Sequence, residues 1–372
     1  TSWTAALTIS GDETAGAATF SCGSHQDAAG NTGTADTTAD SGSVTIDYMV
    51  PTVSSIAVTG VTSGQYGTAS TYTVIVTASE ALDAAPTLSL AGGTVGSGAG
   101  SSSDTVWTYT FTPTDNDESV TIDVAAGAIT DLAGNDNIAA ATQFAFTHDA
   151  TDPTLSTIAM TTSGNSGYAK SGDTITLTIT ASESVTGLAC TIDGETATMS
   201  GSGTSWTAAL TISGDETAGA ATFSCGSYSD AAGNAGSADT TADSGSVTID
   251  YTVATPSEST AATTPTTDTT PDVVISVAEA GTIAVGGTSG CGLSSTSTMS
   301  SGSNTLTLTT NGDAAYTCTV TFTDLAGNTA SALTLTAFYL PRASGCMMRP
   351  GRRAIPYGSP TLRLTLAFCR SE

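Results

Sequence analysis

The chain has very few basic residues. Seven residues are Lys or Arg and 34 are Asp or Glu, which gives a formal net charge of −27. All the arginines lie between Arg342 and Arg370, so Lys170 is the only base in residues 1–339. A body this acidic repels nucleic acid and anionic lipid and attracts cations. We therefore expect no nucleic-acid partner.

Long hydrophobic runs and helical patterns are also missing. No apolar run approaches the roughly 18 residues that a membrane span needs, so we expect no direct membrane insertion of these residues. Charged residues make up 11% of the chain, and Thr, Ser, Ala and Gly are abundant instead. The hydrophobic content of 39% is still enough for buried cores.

The sequence repeats on two length scales. Residues 1–50 and 204–253 are identical at 45 of 50 positions, with an offset of 203 residues. Within that period, the pentapeptide Asp-x-Ala-Gly-Asn begins at Asp27, Asp131, Asp230 and Asp324, in steps of 104, 99 and 94 residues. A step of about 100 residues is the size of one immunoglobulin-like β-sandwich.

The motif spacing divides the chain into four units and a tail. Unit 1 (1–50) is expected to be the C-terminal part of an Ig-like domain, so that the chain is a fragment that starts inside a domain. Units 2 (51–151), 3 (152–253) and 4 (254–339) are expected to be Ig-like domains, and unit 4 begins with a Pro/Thr-rich linker. Residues 340–372 form a basic tail, for which we consider a shifted reading frame and a true basic anchor.

Alternating side chains predict strands in every unit. Thr174–Thr180 reads Thr-Ile-Thr-Leu-Thr-Ile-Thr, with apolar residues on one face and threonines on the other. Gly, Ser, Asn and Asp clusters between such runs indicate turns. The sequence thus predicts an all-β protein of tandem immunoglobulin-like β-sandwich domains in an extended array.

The linkers after the motif carry a family resemblance. Residues 146–154 read Phe-Thr-His-Asp-Ala-Thr-Asp-Pro-Thr, a short strand followed by an Asp-plus-Pro linker. Together with the four pentapeptides, residues 1–339 resemble the bacterial Ig-like (Big-type) repeats of large surface adhesins and biofilm-associated proteins. The resemblance implies an extracellular or cell-surface rod, often stiffened by calcium between domains, that serves as a spacer in adhesion or in a biofilm matrix. It implies further copies of the same repeats, surface glycans and host or matrix proteins as partners. The alternative is an accessory spacer or carbohydrate-binding region of a large secreted hydrolase.

Carboxylates are predicted to gather where one unit meets the next. In an Ig-like sandwich the loop after the second strand and the loop before the last strand lie at the end where the preceding linker enters. Each of these places holds an acid in units 2, 3 and 4, and calcium prefers such oxygen ligands. The predicted metal ligands are Asp47, Glu80 and Asp131; Asp149, Asp152, Glu183 and Asp230; and Asp250, Glu279 and Asp324. The motif Asp can instead simply cap its own turn, and both interpretations stay open here.

The cysteines indicate an oxidising compartment and two intradomain disulfides. Cys190 and Cys225 are separated by 35 residues in unit 3, and Cys291 and Cys318 by 27 residues in unit 4. We predict these two pairs, with free buried thiols as the alternative. Cys22 occupies the position of Cys225 in the repeated segment.

Catalysis has little support in the residue types. The only histidines are His25, which is Tyr228 in the repeated segment, and His148, which is expected to be solvated in a linker. Trp107 and Trp206 are expected to pack in cores, although they could also bind sugars. The acids recur in every unit, which favours a structural role over a unique active site. We therefore expect no catalytic residues and a chain that is not an enzyme.

Overall fold

The structure is a computed structural model that describes residues 2–165, 167–288 and 290–341. Of the predicted basic tail, residues 342–372 lie outside this range. All regular elements within the described ranges are β-strands, and no helix there is long and apolar enough to cross a membrane. The predicted all-β class is confirmed.

Unit 1 contains four short strands in two pairs. β1 pairs with β4, and β2 pairs with β3, all antiparallel. Most of its large apolar side chains are exposed, Trp3 and Leu7 among them. The strands are β1 (Gly16–Ala17), β2 (His25–Gln26), β3 (Thr32–Gly33) and β4 (Thr45–Ile46).

Unit 2 is a sandwich of two four-stranded sheets, in the orders β5-β7-β10-β9 and β6-β12-β11-β8. Its core includes Val74, Val76, Phe111 and Ile122, and Trp107 is buried among them, as expected. The strands are β5 (Val53–Val58), β6 (Tyr66–Gly67), β7 (Tyr72–Ala78), β8 (Ser89–Ala91), β9 (Gly93–Val95), β10 (Val106–Pro113), β11 (Glu118–Asp123) and β12 (Phe144–His148).

Unit 3 is built from three three-stranded sheets around one core, in the orders β13-β15-β18, β14-β21-β19 and β17-β16-β20. The predicted alternation in β15 holds, because Ile175, Leu177 and Ile179 are fully buried whereas Thr178 and Thr180 are exposed. The strands are β13 (Leu155–Thr162), β14 (Tyr168–Ala169), β15 (Thr174–Val185), β16 (Ala189–Ile192), β17 (Glu195–Thr196), β18 (Thr198–Thr211), β19 (Gly219–Ala220), β20 (Phe223–Gly226) and β21 (Thr248–Ile249).

Unit 4 repeats the sandwich with sheets in the orders β22-β23-β27-β25 and β26-β24-β29-β30, and a small pair β28-β31. Tyr316, Phe322 and Phe338 are the largest side chains of its core. The strands are β22 (Ser257–Thr260), β23 (Asp272–Val277), β24 (Gly281–Gly287), β25 (Gly292–Leu293), β26 (Thr298–Met299), β27 (Gly302–Thr309), β28 (Ala315–Tyr316), β29 (Cys318–Asp324), β30 (Leu333–Thr334) and β31 (Phe338–Tyr339).

Both predicted disulfides are present. Cys190 and Cys225 face each other on the antiparallel strands β16 and β20, with an S–S distance of 2.03 Å. Cys291 and Cys318 are joined at 2.06 Å. In the chain-entropy account, loops of 35 and 27 residues correspond to about 3–4 kcal/mol of stabilisation each. Cys22, which has the position of Cys225, is exposed and free.

The prediction that His148 is solvated in a linker is wrong. His148 is the last residue of β12, which pairs in parallel with β6, and its side chain is buried. Its Nδ1 atom lies 3.1 Å from the Tyr72 hydroxyl and 3.1 Å from the Gly67 carbonyl oxygen. The corresponding residue of unit 3, Ile249, is also buried, so this is a core position, and the Tyr72 hydroxyl and the Gly67 carbonyl both serve as polar partners of the histidine Nδ1 atom there.

Candidate metal centres at the unit junctions

Three carboxylates meet at each of the three junctions between successive units. In every group, one oxygen from each residue lies within 4.8 Å of those from the other two. The groups are Asp47, Glu80 and Asp131 (junction 1/2); Asp149, Glu183 and Asp230 (junction 2/3); and Asp250, Glu279 and Asp324 (junction 3/4). The convergence that the loop positions predict is therefore present in the geometry at all three places.

The fold brings the three acids together from distant parts of the sequence. At junction 1/2, Asp47 follows β4 at the end of unit 1, and Glu80 lies two residues after β7, the second long strand of unit 2. Asp131 opens the pentapeptide turn, and an isolated bridge joins it to Leu82 just beyond Glu80. The loop after one strand and the turn before another thus flank the incoming linker.

The pentapeptide Asp caps its own turn. The Oδ1 atom of Asp131 accepts hydrogen bonds from the backbone N–H groups of Ala133 and Asn135, both at 2.8 Å. Its Oδ2 atom accepts a bond of 2.8 Å from the Asn135 side-chain amide. Gly134 supplies a φ of +91°, which a residue with a Cβ rarely adopts. The same capping occurs at Asp27, Asp230 and Asp324.

The Asn of the motif also holds the linker, a role that the sequence analysis missed. At junction 1/2, Asn135 Nδ2 donates to the carbonyl oxygens of Asp47 and Met49 at 3.2 and 3.1 Å. At junction 2/3, Asn234 Nδ2 donates to the carbonyl oxygen of Asp149 at 3.2 Å, and at junction 3/4, Asn328 Nδ2 donates to that of Asp250 at 2.9 Å. The signal available in the sequence was the Asn at the fifth position of every pentapeptide, because the positive φ of the turn requires only the Gly that precedes it.

At the first two junctions, Glu80 and Glu183 have pKa values raised above the ordinary value. Burial raises the pKa of Glu80 above its ordinary value, and the charges of Asp47 and Asp131 raise it further. Burial likewise raises the pKa of Glu183, with additional repulsion from the neighbouring aspartates. Asp131 differs, because burial acts to raise its pKa but the hydrogen bonds from Asn135 outweigh this, so that the pKa falls below the ordinary value. At junction 1/2, Asp131 is thus stabilised as an anion, whereas Glu80 opposite it is not.

Junction 2/3 contains a fourth carboxylate, Asp117, that was not predicted. Asp117 lies in the turn between β10 and β11 of unit 2 with a φ of +58°. After burial, its charge is among the causes that raise the pKa of Asp149, and it also acts on Glu183. Asp152, which the linker sequence placed at this junction, is exposed and lies outside the group. The linker acid that points inward is Asp149, which directly follows the last strand and is itself buried.

The arrangement offers the oxygen ligands that a hard cation prefers. Each group supplies three carboxylates at short range, and the linker carbonyls that the Asn side chain fixes lie beside them. Calcium takes six to eight oxygen ligands and tolerates irregular geometry, so carboxylates, carbonyls and water could complete its coordination. Neutralising the group would also remove the repulsion that raises the pKa of Glu80 and Glu183.

Comparison with known proteins finds a sequence match to one part of the chain. Residues 47–148 match the family model described as "Bacterial Ig-like domain", a range that starts at Asp47 and contains the whole first carboxylate group. No curated protein matches the chain.

Solved structures of similar fold include the I9–I11 tandem of titin (9% identity, 78% of this chain, 99% of that chain, TM-score 0.28). Others are the FN1–FN3 domains of chicken CNTN1 (10% identity, 77% and 98%, TM-score 0.24) and the mixed-linkage glucan utilization locus protein SGBP-B of Bacteroides ovatus (16% identity, 79% and 71%, TM-score 0.19).

Bacterial Ig-like domains and disulfides are typical of extracellular or surface proteins, and the fold is that of a structural repeat or spacer. Residues 47–148 are therefore similar in sequence to bacterial Ig-like domains, and they lie in an all-β chain of tandem Ig-like sandwiches.

Proposed function

We propose that this chain is the repeat region of a secreted or cell-surface protein and acts as a stiff spacer in cell adhesion or in a biofilm matrix. The observation that carries the proposal is that the same carboxylate group and the same Asn hydrogen bond to the linker recur at three successive junctions. At each one the motif Asp caps its turn, the motif Asn holds the incoming linker, and a linker acid and a Glu face the motif Asp. A device repeated at every junction serves the array and not one catalytic event, so no residue is assigned a catalytic role.

Calcium is the cation that we propose for the three junction groups. Without it, the linker acid and the motif Asp hold like charges within 4.8 Å of the Glu, and this repulsion favours separation of the linker from the unit that follows. With it, the same carboxylates would tie the linker, the loop after the second strand and the pentapeptide turn together. Ordering these three segments would stiffen the junction and raise the free energy of unfolding of the units beside it.

Thermal unfolding of the full chain in calcium and in chelator tests the metal. One hundredfold excess of calcium over its Kd would add about 2.7 kcal/mol to the free energy of unfolding of each liganded unit. The triple variant Glu80→Gln, Glu183→Gln, Glu279→Gln should lose this response. Glu195→Gln, an exposed residue of β17, is the matched control and should keep it. The same melting temperature in calcium and in chelator would show that the motif Asp only caps its turn.

The adhesive role has a separate test. Cells that display the full chain should attach to glycan- or matrix-coated surfaces more strongly in calcium than in chelator, and the triple variant should remove the difference. Calcium-dependent melting without any attachment would keep the spacer and reject the adhesive surface.

A further inference from the structure

An open groove runs along one edge of unit 2. It has a volume of about 440 Å³ and lies between β5 on one side and residues 141–144 on the other. Ile56, Val58, Val61 and Phe144 contribute its apolar surface, and no residue that lines it is charged.

Unit 3 closes the same place with its own backbone. β13, the counterpart of β5, pairs in parallel with the segment around Ser244. The Met160 N–H donates to the Ser244 carbonyl oxygen at 2.9 Å, and the Asp243 N–H donates to the Ile158 carbonyl oxygen at 2.9 Å. The Asp243 carboxylate accepts a further bond of 2.7 Å from the Ile158 N–H. Unit 4 closes its edge with a side chain instead, since Glu258 accepts hydrogen bonds of 2.7 Å from both the N–H and the hydroxyl of Thr336.

Two substitutions explain why unit 2 stays open. The parallel pairs Gly67–His148 and Ala169–Ile249 align the last strands of units 2 and 3, so Phe144 corresponds to Gly245 and Thr142 to Asp243. Gly245 has a φ of +77°, and a Cβ added there would overlap the Met160 carbonyl oxygen. Phe144 therefore prevents the close approach that unit 3 uses, and Thr142 lacks the carboxylate that binds the opposite strand.

The open edge presents strand hydrogen-bonding groups. Thr59 N–H donates to the Thr73 carbonyl oxygen, which places Ser55, Ala57 and Thr59 in bonding register with β7. Antiparallel pairing alternates, so the N–H and C=O groups of Ile56 and Val58 point away from β7, towards the groove. In the described parts of the chain, no backbone hydrogen bond joins β5 to residues 141–144. An unpaired strand edge of this kind is a template for another strand.

We propose that this groove binds an extended peptide of a partner protein by β-strand addition, with β5 as the template. The peptide backbone would pair with Ile56 and Val58, and every second side chain, small and apolar, would enter the groove. Charge complementarity points to basic flanks, because the chain has a net charge of −27 whereas the groove itself is neutral. A second copy of this chain fits less well, because it would bring the same acidic surface to the contact.

The test uses the full chain and a fluorescent peptide, Lys-Lys-Thr-Val-Thr-Val-Thr-Val-Thr-Lys-Lys, in fluorescence anisotropy. Two control peptides keep the length. One carries Glu flanks, and the other carries Pro in place of each Val, so that it cannot pair as a strand. We expect the first peptide to bind at least about tenfold more tightly than either control, a difference of about 1.4 kcal/mol.

The decisive double variant, Thr142→Asp with Phe144→Gly, gives unit 2 the two residues that allow the corresponding edge of unit 3 to pair with its own chain. It should weaken peptide binding at least about tenfold, although it adds a negative charge that would attract the basic flanks. Thr178→Asp, on the exposed face of β15, adds the same charge elsewhere and should leave binding unchanged. Hydrogen exchange on the unaltered chain gives a second measure that does not depend on folding of a variant, since the peptide should protect the amides of Ile56 and Val58.

Three results would overturn the proposal. Equal binding of the first peptide and the Pro control, which both carry Lys flanks, would show attraction by charge alone. Binding without protection of Ile56 and Val58 would place the peptide elsewhere. A dimer of the full chain that the double variant abolishes would make a second copy the occupant.

Discussion

Four carboxylates lie close together at junction 2/3. Replacing Glu183 by Gln tests how far their mutual repulsion lowers the free energy of unfolding. Glu183 faces Asp149 and Asp230 with carboxylate oxygens within 4.8 Å, and Asp117 adds to the charge around it. The side chain makes no hydrogen bond to the turn, unlike Asp230, so the substitution removes charge without removing a cap. In chelator at pH 7 we expect the variant to be more stable than the unaltered chain.

Coulomb's law sets the scale. For two unit charges 4.8 Å apart the interaction is about 0.9 kcal/mol in water and about 3.5 kcal/mol at an effective dielectric constant of about 20. Glu183 is only half-buried, so screening brings the value towards the lower limit. We expect a gain of about 1–2 kcal/mol, which corresponds to about 4–8 °C in the Tm of unit 3 for each kcal/mol.

The effect has a defined pH dependence. The folded-state pKa of Glu183 is raised above its ordinary 4.5, so the folded state binds this proton more tightly than the unfolded state does. The destabilisation is fully present above the raised pKa and disappears as the pH falls to 4.5 and below. In chelator, the difference in Tm between the variant and the unaltered chain should therefore shrink as the solution is acidified.

Differential scanning calorimetry of both proteins, in chelator from pH 4 to pH 8 and again in calcium, is the assay. In calcium the order should reverse, because the variant has lost a ligand. Glu195→Gln controls for a general effect of removing one acid from a chain of net charge −27. A variant no more stable than the unaltered chain in chelator at pH 7 would refute the electrostatic reasoning.

Two further predictions concern unit 3. Glu216 is buried, and its pKa is lowered to about 2; although burial opposes this, hydrogen bonds from the backbone of Ser213 and Gly214 and from the Tyr251 hydroxyl prevail. The stabilisation by ionised Glu216 is therefore present above pH 4.5 and lost as the pH falls towards 2. Glu216→Gln should lower the free energy of unfolding by about 1–3 kcal/mol at pH 7 and by less in acid, as measured by urea unfolding. An equal cost at both pH values would contradict the assignment. Replacing Cys190 and Cys225 by Ser should cost about 4 kcal/mol in unit 3 and leave unfolding of unit 2, which contains no cysteine, unchanged; a shift in both units would point to coupled unfolding instead.

The strands and the junction acids could be read from the sequence because both depend on short, regular patterns. The alternation of Ile and Thr from Thr174 to Thr180 has the period of a strand, and the structure buries the isoleucines and exposes two of the four threonines. The position of Glu183 just after the same buried run places it at the end where the linker enters. Loop connectivity of a sandwich then brings it to Asp230 without any knowledge of side-chain detail.

What the sequence could not show depends on local geometry that has no period. Residues 115–117 read Asp-Asn-Asp and indicate a turn, but nothing in the sequence shows that Asp117, with a φ of +58°, reaches junction 2/3. Asp149 and Asp152 are equivalent acids in the linker sequence, and only the path of the backbone decides that Asp149 is buried. His148 has the residue type of an exposed linker but the position of a core Ile, and the register with β6 decides between them.

Turn capping and cation binding, which looked like alternatives in the sequence, are compatible. The three hydrogen bonds to Asp131 occupy part of the capacity of its carboxylate, which has about four lone-pair sites. Glu80 has a raised pKa and no such bonds, so its oxygens are the ones that a cation would relieve most. The motif Asp therefore fixes the shape of the junction with or without metal, and the Glu makes the junction respond to it. This division explains why the Glu variants, and not variants of the motif Asp, separate the two roles experimentally.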